Sequence, residues 1–179
     1  MLKNTANGYG LITRLFHWTM SLLILGMIAA GYWISILPSS EFKHSLINLH
    51  KSTGLLILFL VVLRILWRSR NMQPDAPDTV PAWQTFLAKT NIFVMYCLMF
   101  LIPITGLTGS LTSGYPVSFY DLFTIPSFIK NPELASYCWG LHGIIPYILL
   151  GCIALHFLAA MYHHFILKNT VLLKMWRGK

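Results

Sequence analysis

The chain has 179 residues, of which 56% are hydrophobic and only 10% are charged, and its formal net charge is +8. So little charge excludes an ordinary soluble domain and indicates an integral membrane protein. The positive balance alone would also suit a polyanion such as nucleic acid, but the distribution of the charges favours another explanation, given below. We expect one domain over residues 1–179.

Four apolar stretches are long enough to cross a bilayer, which takes about 20 residues per helix. They cover approximately residues 11–37, 46–68, 91–111 and 137–167. Uninterrupted apolar runs favour helices over the alternating pattern of a membrane β-barrel. The first stretch is longer than the core of a secretory signal, so we expect it to be retained. The sequence therefore predicts an all-α fold: an integral membrane four-helix bundle that runs up and down.

The second predicted helix carries ionisable side chains near both of its ends. His50 and Lys51 lie near its start, and Gly54 follows His50 by four residues on the same face. Arg64 lies fourteen residues after His50. Fourteen steps of about 100° return to within roughly 40° of the starting direction, so Arg64 shares the His50 face at the opposite depth.

The middle of the chain contains fewer candidate groups. Residues 71–81 are rich in proline and are predicted to form a loop, and residues 82–89 a short interfacial helix. The third membrane helix contains Pro103 and Gly106 but no histidine, so we assign it to packing. The following loop, residues 112–136, is a candidate lid without a recognisable motif.

The fourth predicted helix contains two histidines, His142 and His156, fourteen residues apart. The same geometry places both rings on one face, about 21 Å apart along the helix axis. Ionisable side chains inside a bilayer are costly and normally face a partner or a cofactor. His163 and His164 follow at the end of the helix, before a short amphipathic tail over residues 169–177.

The basic residues predict the orientation of the bundle. With four spans, both termini and the middle loop lie on one side of the membrane. That side holds most of the cations: Lys3, Arg14, Arg64, Arg68, Arg70, Lys89, Lys168, Lys174, Arg177 and Lys179. The opposite loops hold Lys43, Lys51 and Lys130. By the positive-inside rule both termini are cytoplasmic, and the charge is explained by topology and lipid attraction rather than by nucleic acid.

This topology sorts four histidines into two pairs. His17 and His156 fall in the cytoplasmic half, and His50 and His142 fall in the outer half. Two imidazoles that face each other across a bundle suit axial ligation of a haem iron. Zinc is a weaker alternative, because no carboxylate or thiolate is placed to complete a tetrahedral site. No Cys-x-x-Cys-His motif occurs, so a haem would not be attached by thioethers.

Cations near these pairs are candidates for binding haem propionates. Arg64 and Arg14 lie near the inner pair, and Lys51 adjoins His50. For the two arginines, snorkelling to lipid phosphates is an equally good explanation. His163 and His164 have two explanations as well, either as a substrate site below the inner pair or as interfacial residues without a role.

The contexts of these histidines resemble the bacterial cytochrome b561 family. They are Phe16-His17-Trp18, Leu49-His50-Lys51-Ser52 with Gly54, Leu141-His142, Leu155-His156 and the stretch from Tyr162 to Lys174. The resemblance covers nearly the whole chain. It implies a membrane cytochrome of the bacterial inner membrane with two haems b, ligated by His17 with His156 and by His50 with His142. It also implies electron exchange with ubiquinone and, in some members, oxidation of superoxide on the outer side.

Three functions follow as hypotheses. The first is a transmembrane electron relay from an outer donor, such as superoxide attracted by the outer lysines, to ubiquinone near His163, His164 and Arg14. The second is a haem-carrying membrane subunit of a larger dehydrogenase or hydrogenase. The third is a haem-free transporter that uses its histidines as a proton relay. A redox partner subunit or a second copy of the chain stays open as a partner.

Overall fold

A computed structural model describes residues 1–77, 79–127 and 129–178. Four long helices dominate it: α1 (Leu11–Ile36), α2 (Glu41–Ser69), α3 (Ala82–Thr112) and α4 (Pro132–Met161). Each is long and apolar enough to cross a membrane, α4 together with the turn that follows it. The predicted membrane four-helix bundle is confirmed.

Local sequence explains where two of these helices begin. The Ser40 hydroxyl accepts a hydrogen bond from the Lys43 amide and caps α2, so this helix begins five residues before the apolar stretch. The Asn131 side chain accepts from the Leu134 amide and caps α4, with Pro132 in the first turn. Both helices therefore begin before the apolar stretches that were predicted to span the membrane.

Helix α3 differs from the prediction. The interfacial helix expected over residues 82–89 is the first part of α3, which continues without a break to Thr112. The polar step Lys89-Thr90-Asn91 contains neither glycine nor proline, so nothing in it stops a helix. The Asn91 side chain donates across the bundle to the carbonyl of Cys152 at 3.1 Å, so its polar amide has a hydrogen-bond partner inside the protein.

The fold also contains a small β-hairpin, so the all-α description omits one element. In the loop before α4, β1 (Val117–Phe119) pairs with the antiparallel β2 (Phe123–Ile125). Tyr120 and Asp121 form the turn with positive φ angles of 48° and 59°. Ser52 of α2 anchors the hairpin by donating to the Ser118 carbonyl at 2.8 Å and accepting from the Tyr120 amide at 3.2 Å.

The end of the bundle that holds both termini is closed by three segments that bond to one another. Helix α4 continues through a π-helical turn (Tyr162–Ile166) into α5 (Val171–Trp176). Asn4 of the N-terminal segment donates to the Met72 carbonyl at 2.8 Å, and Lys174 of α5 donates to the Asp75 carbonyl at 2.6 Å. The N-terminus, the α2–α3 loop and α5 thus form one layer on this face.

The buried core lies at mid-height in the bundle. It consists of Met20, Ile24, Ile57, Val61, Met99 and Leu149, and so draws on all four helices. Leu149 is seven residues from both His142 and His156, which places the cluster between the two histidine levels. An apolar layer therefore separates the two levels.

Candidate functional site

The inner histidine pair bridges α1 and α4. The ring centres of His17 and His156 are 6.2 Å apart, with their planes tilted by 58°. Trp18 lies edge-on against His17, with 5.0 Å between the ring centres. In the part of the chain that the structure describes, the main helix contacts are α1 with α2, α2 with α3 and α3 with α4. The two histidines thus face each other across helices that are not closely packed.

The outer pair has the same spacing. His50 of α2 and His142 of α4 have ring centres 6.2 Å apart and nearly perpendicular planes, at 86°. A metal–imidazole bond is about 2 Å long and the ring centre lies about 1 Å behind the nitrogen, so two rings that share one iron have centres about 6 Å apart. Both pairs fit this requirement. The described residues contain no group of three or more His, Cys, Asp or Glu that could hold a metal ion, so a site with protein ligands alone fits less well.

His142 is held in a defined tautomer by α3. Its Nδ1 lies 2.9 Å from the carbonyl oxygen of Ile102, which can only accept a hydrogen bond, so Nδ1 carries the hydrogen. Nε2 then keeps its lone pair for a metal. Gly106 makes room for this ring, because an added Cβ would lie 2.7 Å from His142 Cε1. The prediction that α3 serves only for packing did not foresee that this helix holds the His142 ring. Gly106 was the residue in the sequence that could have indicated it.

His50 lies beside a cavity. The cavity has a volume of about 440 Å³, within the range of small-molecule sites. Its lining includes His50, His142, Lys51 and Gly54, and it is otherwise mostly apolar. His50 Nδ1 is buried and has no hydrogen-bond partner among the described residues, so this ring is not held by the protein as His142 is. The outer pair therefore combines two facing imidazoles with a cavity that could hold a planar cofactor.

Lys51 is also close to an aromatic side chain of the outer loop. Its Nζ lies 5.6 Å from the centre of the Tyr115 ring, a cation–π contact. Trp139 also lines the cavity, with its ring centre 6.0 Å from that of His142. Trp139 Nε1 donates to the Ser113 hydroxyl at 3.0 Å, which fixes the indole. Trp139 is not among the site residues predicted from the sequence.

Arg64 reaches the inner pair. Its Nη2 donates to His17 Nδ1 at 3.2 Å, and its guanidinium carbon lies 5.5 Å from the centre of the Tyr96 ring. Arg68, one turn further along α2, lies 5.9 Å from the same ring. Tyr9 is close to both arginines, and burial raises its pKa more than the two cations lower it. Arg64 thus borders the inner pair, and a second cation and two phenols lie around Arg64.

Arg14 does not face the inner pair through its donors. Its Nε donates to the carbonyl of Met175 at 3.2 Å and its Nη2 to the carbonyl of Trp176 at 2.5 Å. These carbonyls belong to the last turn of α5, where cations are favourable. The structure thus places Arg14 as a cap that holds the C-terminal helix.

His163 and His164 lie in the π-helical turn that ends α4. Such turns are rare and occur frequently at functional sites. The ring of His164 lies edge-on against Phe165, with 4.8 Å between the centres. His163 Nδ1 lies 2.8 Å from the Asn169 side-chain nitrogen. Neither ring makes a ring-to-ring contact with the inner histidine pair among the aromatic contacts of the described residues.

Comparison with known proteins is consistent with these features. A family model described as prokaryotic cytochrome b561 matches residues 8–178. Cytochrome b561 homolog 2 of Escherichia coli (strain K12) is 30% identical over 174 residues, which cover 96% of this chain and 93% of that protein. Cytochrome b561 homolog 1 of the same organism is 26% identical over 89% of this chain and 91% of its own length. A probable superoxide oxidase CybB of Yersinia pestis is 28% identical over 91% of this chain and 92% of its own length.

Proposed function

Since the chain belongs to the prokaryotic cytochrome b561 family, which binds haem b and transfers electrons in bacterial membranes, we propose that it relays electrons across the membrane through two haems b. His17 and His156 would hold one haem, and His50 and His142 the other. The observation that carries the proposal is the equal spacing of the two pairs, 6.2 Å between ring centres in each. When bound, the haem irons supply reversible one-electron chemistry at two depths.

The protein's part is to hold and separate the two sites. The Ile102 carbonyl keeps the hydrogen of His142 on Nδ1, and therefore keeps Nε2 available. The core cluster around Met20, Val61 and Leu149 excludes water between the two levels. His142 and His156 are about 21 Å apart along the axis of α4. Bound haems would extend towards each other from these two histidines, so the distance that an electron has to cross would be shorter than this.

Arg64 and Lys51 are proposed to bind propionates of the inner and outer haem, respectively. In the present contact Arg64 donates to His17 Nδ1, so the hydrogen of that ring is on Nε2. Ligation through Nε2 requires this hydrogen bond to be given up, which frees the guanidinium for a carboxylate. Lys51 and Gly54 both line the outer cavity. Because Gly54 has no side chain, the cofactor could approach the backbone of α2 at this point.

The outer donor is proposed to be a small anion such as superoxide. A relative with 28% identity carries the name probable superoxide oxidase. Of the outer lysines, Lys51 lines the cavity, whereas Lys43 donates to the Leu37 carbonyl at 2.7 Å. Lys51 is therefore the cation best placed to attract an anion to the outer site, with Lys130 more peripheral.

Ubiquinone is the proposed acceptor on the cytoplasmic side, near His163 and His164. The π-helical turn that carries these residues supports a site there. Arg14 was expected to contribute directly. Because its donors hold α5, its contribution to this site is through the position of the C-terminal layer.

The membrane orientation has both termini in the cytoplasm, as the distribution of basic residues indicates. Accessibility labelling of single cysteines placed in the N-terminal segment and in the outer hairpin would test it. We expect the N-terminal position to be protected in intact spheroplasts and the hairpin position to be labelled. The reverse pattern would reject the orientation.

The decisive experiment counts haems and follows their electrons. A reduced-minus-oxidised spectrum with a pyridine haemochrome assay should give two haems b per chain. In stopped flow, superoxide should reduce the purified protein, and a ubiquinone analogue should reoxidise it. One haem per chain would reject the relay, whereas indifference to superoxide would reject only the donor.

A further inference from the structure

The chain reverses direction where α4 ends, and the reversal is tight. The Leu167 amide donates to the Tyr162 carbonyl at 3.1 Å, the five-residue spacing of a π-helix. Lys168 then has a positive φ of 51°, and the Asn169 amide donates back to the His163 carbonyl at 3.1 Å. This bond spans six residues, one more than the 6→1 bond of a Schellman turn, and lysine stands at the left-handed position that glycine normally occupies in such turns. Lysine there costs about 1 kcal/mol, so the turn is held by its surroundings.

The reversal brings the Asn169 amide onto the ring of His163. Its Nδ2 lies 2.8 Å from His163 Nδ1, and its Oδ1 accepts from the Val171 amide at 3.3 Å. The second bond fixes the orientation of the amide, because a backbone N–H can only donate. The group that faces His163 is therefore the NH₂ donor. His163 Nδ1 must accept, and the hydrogen of the neutral ring is on Nε2.

We propose that Asn169 is a positioning residue for His163: it fixes the tautomer that presents Nε2–H as a hydrogen-bond donor to a carbonyl oxygen of the quinone. This rests on the proposed function, which places the quinone near His163. A quinone carbonyl is an acceptor without hydrogen of its own, so only a ring nitrogen that carries hydrogen can bind it. The same amide connects α4 to the first turn of α5, which couples the site to the C-terminal layer.

The tautomer can be measured without activity. Full-length protein with ¹⁵N-labelled histidine, in nanodiscs and with its haems reduced to the diamagnetic state, would be compared by NMR with the Asn169→Asp variant. The His163 resonances are those that vanish in His163→Gln. In the parent protein we expect Nε2 to carry hydrogen and Nδ1 to lack it. In Asn169→Asp the carboxylate can only accept, so the hydrogen should appear on Nδ1, while the Val171 amide keeps an acceptor.

Quinone binding provides the second measurement. In Asn169→Asp the KM for decylubiquinone should rise about tenfold, which corresponds to about 1.4 kcal/mol, with haem spectra unchanged. Thr170→Ala is the matched control: Thr170 precedes α5 and makes no side-chain capping bond there, so tautomer and KM should stay as in the parent. If Asn169→Asp does not fold, Asn169→Ala should give a mixture of both tautomers.

The outcomes separate this inference from the proposed function. Hydrogen on Nδ1 of His163 in the parent protein would overturn the inference, whether or not quinone is reduced. A tautomer reversed by Asn169→Asp with an unchanged KM would overturn the positioning role. A parent protein with the expected tautomer that reduces no quinone would reject the proposed acceptor instead, and with it the donor role of His163.

Discussion

Gly106 and His142 are in such close contact that no other residue fits at position 106 without moving the ring. A Cβ added to Gly106 would lie 3.0 Å from His142 Nδ1, the atom that bonds to the Ile102 carbonyl. Gly106→Ala should therefore displace the imidazole and weaken the outer haem site. We expect the haem content to fall from two per chain towards one, with the inner haem spectrum retained, by pyridine haemochrome assay.

The matched control is Gly151→Ala in α4. A Cβ at Gly151 meets no atom within 4 Å, so the haem content should not change. Glycine in a helix interior costs about 1 kcal/mol relative to alanine, so this control should be slightly more stable. If Gly106→Ala retains both haems with unchanged spectra, the close contact between Gly106 and the His142 ring is not required for haem ligation.

Much of the fold could be predicted because the bilayer restricts it. Four long apolar runs define four spans, and spacings of fourteen residues place His142 with His156, and His50 with Arg64, on common faces. The up-and-down topology then brings His17 near His156 and His50 near His142. These relationships depend only on helix geometry and on the order of the spans.

The remaining features depend on contacts between distant segments. Nothing local to Arg14 shows that it caps α5, because its partners Met175 and Trp176 lie at the other end of the chain. Similarly, the turn at Tyr120 and Asp121 has no glycine to indicate it, and the hairpin is anchored by Ser52 of another element. The group that holds the His142 ring is the backbone carbonyl of Ile102, which a side-chain motif does not show; in the sequence only Gly106 indicates that α3 approaches this ring.

Single ligand substitutions should remove one haem each. His17→Ala should lose the inner haem and His50→Ala the outer one, because the pairs are separated by the core layer at mid-height. Redox titration of each variant should show one midpoint in place of two. His44→Ala is the control, since His44 is exposed and should leave both haems in place. Loss of both haems in both variants would mean that the sites are not independent.

Arg64 should raise the midpoint potential of the inner haem. A cation beside the iron favours the reduced form, so Arg64→Gln should lower that potential, by about 60 mV if the interaction is worth about 1.4 kcal/mol. The outer potential should stay constant, because Arg64 lies at the His17 level. Arg70→Gln is the control, as Arg70 is exposed just beyond α2. An inner potential that does not change in Arg64→Gln would exclude Arg64 as the electrostatic partner of this haem.

Ser52 should control how firmly the outer hairpin is held. Its buried hydroxyl makes two hydrogen bonds to the hairpin, one to the Ser118 carbonyl and one from the Tyr120 amide. Each is worth about 0.5–1.5 kcal/mol, so Ser52→Ala should increase the local opening of the hairpin by one to two orders of magnitude. Hydrogen exchange measured by mass spectrometry should show faster exchange at residues 117–125 than in the parent protein.

The control for this prediction is Ser45→Ala, an exposed serine on the same helix. It should leave exchange in the hairpin unchanged. The Thr53 hydroxyl also bonds to the Tyr120 hydroxyl, at 2.9 Å, so the hairpin of Ser52→Ala should loosen rather than detach. Because Val117 of the hairpin lines the outer cavity, loosening should also speed the reaction of the outer haem with small external reductants. Unchanged exchange in Ser52→Ala would show that packing of the hairpin, not these two bonds, holds it over the outer site.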